Sequence, residues 1–312
     1  MNHDRRMRFA VQLVAAENGR SWADAARRSE EAGFSVISLP DHLGDQFAPI
    51  PALAAAAAVT ERVGLSMFVL ANDLRHPGVL AKEVATLDVL SGGRVELGLG
   101  AGWNRDEYRS LGIGFDPPSV RIDRLEESVS IIKELLAGET VTRRGGFYRV
   151  DALAVRPRTV RPDGVPIVLG GGGRRMLSLA ARLGDIVSIA TSNAGQGGAA
   201  GLGAQLRTAA VRDQVGWVKE AAGDRFASLE LNLRVRAVAV GSDRLEAAQQ
   251  SGAEMGCDAD DLLDSPFCLF GSVDEVAEQL TSVREELAIS YFTVSQRHME
   301  QMAPVVAQLR ER

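Results

Sequence analysis

The sequence predicts an α/β fold, a (β/α)8 TIM barrel with insertions at the C-terminal face of its strands. Three observations carry this. Short apolar runs alternate with helical patterns along the whole chain, the arrangement that produces a parallel sheet. The runs number eight, the count that closes a barrel; an open doubly wound sheet, the alternative, more often has fewer. The two stretches that break the rhythm both follow strand C-termini. The 312 residues suit one domain over 1–312, since a barrel takes roughly 250 residues before insertions. Hydrophobic residues at 46% and charged residues at 24% are enough for a large core.

The first strand is read at residues 8–13. Trp22, Ala25, Ala26 and Ser29 follow at helical spacing, with Ser21 and Asp24 offering a capping-box start. The second strand, 35–39, precedes an alanine-rich helix at 49–62. The third, 63–70, precedes a helix at 77–90 that opens on Pro77, a residue suited to a first turn. The fourth is 94–99. Beyond it Ile122, Leu125, Val129, Ile132 and Leu136 step by three and four and make one apolar face. Residues 140–150 read as a hairpin turning at Gly145 and Gly146. The remaining strands are placed at 165–169, 185–190, 229–240 and 290–294, with helices at 174–183, 202–221, 273–286 and 299–310. The stretches 195–203 and 241–271, after the sixth and seventh strands, are candidate lids.

The net charge of −6 and the pI near 5.4 argue against a nucleic-acid partner, which demands a basic face. The pair Arg143 and Arg144 reads as solvated surface. There are two cysteines, Cys257 and Cys268, and four histidines. Without a CxxC or HExxH run no metal site is expected, and the cysteines read as reduced thiols of a cytoplasmic protein. The N-terminus lacks the apolar core of a signal peptide, and no window approaches the roughly 20 apolar residues of a membrane span.

The segment IVLGGGGRRMLSLAARLGD (167–185) is the most informative. A buried strand runs into Gly170, Gly171, Gly172 and Gly173 and then into a helix. Glycines permit close backbone approach and unusual dihedrals. The helix start offers free N–H groups and a positive dipole end. Together they make a phosphate site, to which Arg174 and Arg175 add charge-assisted bonds. A second run, GLGAGW (98–103), follows the fourth strand but fails the GxGxxG pattern, because its sixth residue is Trp103. Its glycines are read as room for a flat ring, with Trp103 as a wall of the substrate pocket. Pro40, Asp41 and His42 close the second strand. A histidine there is a candidate proton donor or acceptor, with Asp41 either orienting it or bonding a cofactor ring. Asn72 and Asp73 end the third strand, and His76 reads as a capping or packing residue.

The block RHPGVLAKEVATLDVLSGGRVELGLGAGW (75–103) resembles the signature of the luciferase-like monooxygenase superfamily. LPDHL (39–43), PIVLGGGGRRML (166–177), FGSVDEVAEQL (270–280) and ISYFTV (289–294) are also similar, in family order and across nearly the whole chain. Within the superfamily the chain is most similar to coenzyme F420-dependent oxidoreductases. The resemblance implies a barrel with the cofactor at the strands' C-terminal ends. It implies that amides near Gly172 and Gly173 hold the cofactor phosphate and that Gly171, Arg175 and Met176 line that site. It matches Asp41, Ala101, Gly102 and Asp106 to cofactor contacts, with Asn72 at the same strand ends, and His42 to the active-site histidine. It places a non-proline cis peptide or a bulge near Phe68 and Val69. One departure stands out: the family's sugar-phosphate dehydrogenases carry a glutamate where this chain has Trp103, and their lysine-rich phosphate pocket is not apparent. Both points argue against glucose-6-phosphate as substrate.

The leading expectation is hydride transfer between coenzyme F420 and a small organic substrate, with His42 moving the coupled proton. An FMN-dependent monooxygenase that activates oxygen is the alternative; it would lean more on Arg174 or Arg175. A non-catalytic cofactor-binding barrel is the alternative of another class. The resemblance also implies a homodimer.

Overall fold

A computed structural model describes residues 5–191 and 198–310. The strands are β1 (Arg8–Gln12), β2 (Val36–Leu39), β3 (Gly64–Ala71), β4 (Val95–Gly100), β5 (Val141–Arg144), β6 (Arg149–Leu153), β7 (Ile167–Gly171), β8 (Ile186–Ile189), β9 (Glu230–Arg234), β10 (Ala237–Val240), β11 (Cys268–Gly271) and β12 (Ile289–Ser295). Eight of them close a barrel in the order β1-β12-β9-β8-β7-β4-β3-β2, while β5-β6 and β10-β11 form two-stranded sheets. The (β/α)8 expectation is therefore met. By contacts the chain divides into two compact units: Leu13–Arg28 with Ile37–Leu169, and Met1–Gln12 with Ser29–Val36 and Gly170–Arg312.

In the first unit, the helices are α2 (Pro49–Ala57), α3 (Pro77–Leu90), α4 (Arg105–Leu111) and α5 (Pro118–Leu136), and most of α1 (Gly19–Glu31). The stripe seen in the sequence is the buried face of α5: Leu125, Val129, Ile132 and Leu136 are all core, each contributing about 1.5–3 kcal/mol by burial. They face α3, whose Leu80, Val84 and Leu87 are also buried. Two helix ends differ from expectation. The cap of α1 is Asn18, whose Oδ1 accepts from the amides of Arg20 and Ser21, while the Ser21 hydroxyl accepts from Asn18 N. Ser21 thus takes the reciprocal position of the capping box rather than opening it. Helix α2 stops at Ala57, short of residue 62, because the Arg94 guanidinium takes the carbonyls of Ala57, Thr60 and Val63.

Strand β3 shifts register against β4 between Met67 and Leu70, and the Phe68–Val69 peptide is cis. Strand β4 is glycine-rich to admit this shape. A Cβ at Gly98 would lie 2.0 Å from the Met67 carbonyl oxygen, and one at Gly100 would lie 2.9 Å from Val69 Cγ2. Gly102 has φ +74°, and a Cβ there would meet the Tyr108 hydroxyl at 2.0 Å. In the fold these glycines make room for β3 and for Tyr108.

In the second unit, α6 (Arg174–Leu183) and α8 (Thr208–Ala222) pack together, and α11 (Val273–Leu287) and α12 (Met299–Leu309) follow β11 and β12. The strand expected at 229–240 is two strands. After β9 the amide of Val235 still bonds Thr293, but that of Arg236 turns to Phe267, and β10 pairs with β11 outside the barrel. The stretch 241–271 is not a bare lid loop. It folds into α9 (Arg244–Met255), α10 (Ala259–Leu263) and β11; Asp243 caps α9 at Glu246 N, and Gly256 ends it with φ +68°. The helix expected at 202–221 is broken at Arg207, which is extended between α7 (Gly198–Leu206) and α8 and pairs with Asp261. The other lid expectation, 195–203, lies partly outside the described residues. Both cysteines are free. Among the described residues no helix is long and apolar enough to cross a membrane, and no cluster of acidic, His or Cys side chains is placed to hold a metal.

Candidate active site

In the first unit the chemistry gathers where β2, β3 and β4 end. His42 leaves β2 two residues after Pro40. Its Nδ1 lies 3.1 and 3.3 Å from the two carboxylate oxygens of Glu107 on α4, and the Leu43 amide donates to Glu107 Oε1 at 3.1 Å. An ionised carboxylate only accepts, so Nδ1 carries a hydrogen and Nε2 is the nitrogen left to exchange a proton. The His42 ring meets Trp103 edge to face, with centroids 5.4 Å apart. Trp103 is 61% exposed, an uncovered aromatic surface beside the histidine.

Asp41 points elsewhere. Its buried carboxylate takes a two-pronged contact from Arg75, at 2.6 and 2.9 Å, and the amide of Ala71 at 3.0 Å. It ties the ends of β2 and β3 together by charge-assisted bonds, and Glu107 orients His42 in its place. Asn72, also buried, donates to Tyr148 Oη at 3.1 Å and to Asp73, anchoring the β5-β6 hairpin. Asp73 accepts from Arg124 at 2.7 Å and from Tyr108 Oη at 3.1 Å, and Arg124 also reaches Asp116. Burial, then the Asp73 charge, pushes the Tyr108 phenol far above its usual range. The carbonyls of Ala101 and Gly102 both accept from Arg121, whose guanidinium lies 4.1 Å over the Phe115 ring. Phe68 is buried and Val69 half-buried at the cis peptide. His76 caps α3, accepting from Gly78 N at 3.1 Å, in line with its reading as a capping residue. A cavity of about 410 Å³ is lined by Asp73, Arg75, His76, Arg124 and Tyr148, among others.

Sequence reasoning brought His42, Asp41, Asn72 and Trp103 to these strand ends but missed Glu107 and Arg75. Asp106 sits on an exposed face, paired with Arg109 at 2.9 Å, and it is the next residue whose carboxylate reaches His42. The missed signal is the spacing Asn104-x-x-Glu107, the sequence mark of a helix start. Asn104 does cap α4 at Asp106 N, and that sets which acid faces inward.

In the second unit the glycine run leads into α6. None of its glycines has positive φ; closeness is the requirement instead. A Cβ at Gly170 would lie 2.5 Å from the Ser188 carbonyl oxygen, and one at Gly171 would lie 2.7 Å from Met176 Cγ. Gln214 Nε2 holds the loop by donating to the carbonyls of Gly172 and Ala190, at 3.0 and 2.8 Å. Gly173 is the N-cap of α6. No side chain caps the helix there, and a Cβ on Gly173 would meet nothing within 4 Å. The helix start thus offers amides and open space together. Arg174 pairs with Glu220, and Arg175 is exposed.

A sequence profile described as luciferase-like monooxygenase matches residues 6–290. The chain belongs to that family. An F420-dependent glucose-6-phosphate dehydrogenase of Nakamurella multipartita is 37% identical over 254 residues, covering 78% of this chain and 71% of that one. Another of that description, from Beutenbergia cavernae, is 40% identical over 168 residues, half of this chain and 48% of the relative. Among solved structures, the coenzyme F420-dependent tetrahydromethanopterin reductase of Methanopyrus kandleri aligns with a TM-score of 0.78 at 17% identity, over 98% of this chain and all of that one; this likeness supports the barrel.

Proposed function

We propose that this luciferase-like chain is an oxidoreductase that transfers a hydride between coenzyme F420 and a small organic substrate, with His42 moving the coupled proton. The observation that carries the reading is the contact between His42 Nδ1 and Glu107. It fixes the ring, with Trp103 against it, and leaves Nε2 to exchange a proton, and a barrel that only bound its cofactor would have no use for such a relay. The F420-dependent relatives supply the cofactor class.

The residues present fit that cofactor. The uncapped start of α6, with open space at Gly173, suits a phosphate. In this reading the amides of Gly171, Gly172 and Gly173 hold it, with Arg175 and Met176 alongside. The residues of the ring side are Phe68, Val69, Asn72, Ala101 and Gly102, with Asp41 acting through Arg75 and the β3 backbone. Asp106 contributes no carboxylate; Glu107 takes that place. Bound F420 supplies a carbon that gives or takes a hydride. His42 holds or accepts the proton at Nε2, Glu107 keeps the opposite nitrogen protonated, and Trp103 offers an apolar face to the substrate. Because Arg174 is engaged by Glu220, the FMN alternative, which leans on the arginines, has the weaker support.

Titration with F420 and with FMN, followed by cofactor fluorescence, tests the reading. Saturable F420 binding is expected; tight FMN binding without F420 binding overturns it. The homodimer implied by the resemblance is checked by light scattering on the eluted protein.

A further inference from the structure

Among the described residues, three arginines of the second unit have no carboxylate partner. Arg234 is the last residue of β9, in register with Thr293 of β12. Arg236 follows two residues later, and Arg297 lies in the 3-10 turn Gln296–His298 just after β12. Their bonds go to neutral acceptors. Arg234 Nε donates to Gln12 Oε1 at 3.0 Å, Arg236 donates to Thr191 Oγ1, and Arg297 Nε donates to His298 Nε2 at 2.9 Å. Among the described residues no Asp or Glu comes within ion-pair distance of any of the three.

The placement is specific. Gln12 ends β1, Thr191 follows β8, Arg234 ends β9 and Arg297 follows β12, and these four strands are consecutive in the order β1-β12-β9-β8. All lie at strand C-termini, the face where barrels bind ligands. Arg234 is exposed at the end of β9; partial desolvation by the residues around it, then the charges of Arg236 and Arg297, lowers its pKa. Arg236 is lowered by burial as well. Like charges gathered without counter-charge oppose folding, and such perturbed groups concentrate at functional sites. Arg297 is the most shared of the three, since it also lines a cavity of about 440 Å³ with Asp243, Glu246 and Glu254. A guanidinium fork matches the planar oxygens of a carboxylate or phosphate.

We propose that Arg234, Arg236 and Arg297 form an oxyanion-recognition site at the C-terminal rim of β8, β9 and β12, taking the carboxylate or phosphate of a small anionic substrate. The word substrate rests on the oxidoreductase reading; the anion site rests on the arginines alone.

Calorimetric titration of the full chain with succinate and with inorganic phosphate tests it, first without cofactor and then with saturating F420. The cofactor-free arm answers even where F420 does not bind. In Arg234→Gln/Arg236→Gln, anion binding is expected to weaken at least tenfold, with F420 affinity within twofold of the parent. Arg234→Lys keeps the charge but loses the fork, and should weaken binding by a smaller factor. Removing a repelling cation should leave the melting temperature equal or higher, which separates this role from a structural one. The proposal is overturned if the parent binds neither anion, if the double variant binds them as the parent does, or if it melts lower. Loss of F420 affinity in place of anion affinity would reassign the arginines to the cofactor's own anionic groups and overturn the substrate assignment.

Discussion

Replacing Glu107 with glutamine isolates one feature of the site. The glutamine keeps its size and its Oε1, so the bond from the Leu43 amide survives and the fold cost is small. What changes is the charge facing His42 and one of its two acceptors. The oxygen 3.3 Å from Nδ1 becomes an NH2 donor that competes with Nδ1–H, while Oε1, at 3.1 Å, still accepts but without the carboxylate charge, so the preference for the Nδ1 hydrogen weakens. A hydrogen bond to a charged group contributes about 1.5–3 kcal/mol. The pair is partly open, with side chains 33% and 14% exposed, so the lower end applies. At about 1.4 kcal/mol per factor of ten, kcat for a proton-coupled turnover should fall about 10-fold, with little change in KM. Nitrogen-15 spectra of the His42 ring provide a readout that needs no substrate. The parent should show the Nδ1–H tautomer and Glu107→Gln a larger share of the Nε2–H tautomer, at similar melting temperatures. An Nε2–H parent, or an unchanged tautomer with kcat within twofold, would refute the positioning role of Glu107.

Arg75→Ala leaves the Asp41 carboxylate buried with only the Ala71 amide, and urea denaturation should show a loss of about 3–5 kcal/mol; a loss below half that range would mean the pair is not what joins β2 to β3. Gly98→Ala drives a methyl onto the Met67 carbonyl, at 2.0 Å, so it should cost at least the upper end of the ~1–3 kcal/mol seen for overpacking; an unchanged denaturation midpoint contradicts this. Gly173→Asp should move two observables in opposite directions: the new cap adds roughly a few tenths of a kcal/mol to α6, its charge at the helix N-terminus adds about 0.3–1 kcal/mol more and the melting temperature rises, while that charge weakens F420 binding at least tenfold. Burial holds the Cys268 thiol up, from 9.0 to about 11. The folded state therefore keeps that proton through a pH window in which the unfolded chain releases it, and stability falls as pH rises from 9 toward 11, by up to ~3 kcal/mol at 1.36 kcal/mol per unit. Cys268→Ala should flatten that part of the stability profile, and an unchanged slope refutes the assignment.

What the sequence shows well is periodicity, and what it hides is partner choice. The eight barrel strands and α3, α5 and α6 are legible because alternation and the three-and-four step report burial directly. The segment LELNLRVRAVAV (229–240) alternates without interruption, yet its two halves pair with different partners; the change at Arg236 lies in a backbone bond to Phe267, and no side-chain period records it. The same division holds in the site. The positions of His42, Asp41 and Trp103 are legible because a strand end fixes them. Asp106 and Glu107 are neighbours on a helix, so about 100° of rotation separates them, and only the phase set by the Asn104 cap decides which one meets the histidine. The glycines of GLGAGW make the point in reverse. Read as a chain they signal open space, but Met67, Val69 and Tyr108 fill that space in the fold. In the glycine run before α6, Gly173 has open space in front of it, so the start of α6 suits the cofactor's phosphate, and its fit comes from what is missing there: a Cβ and a capping side chain.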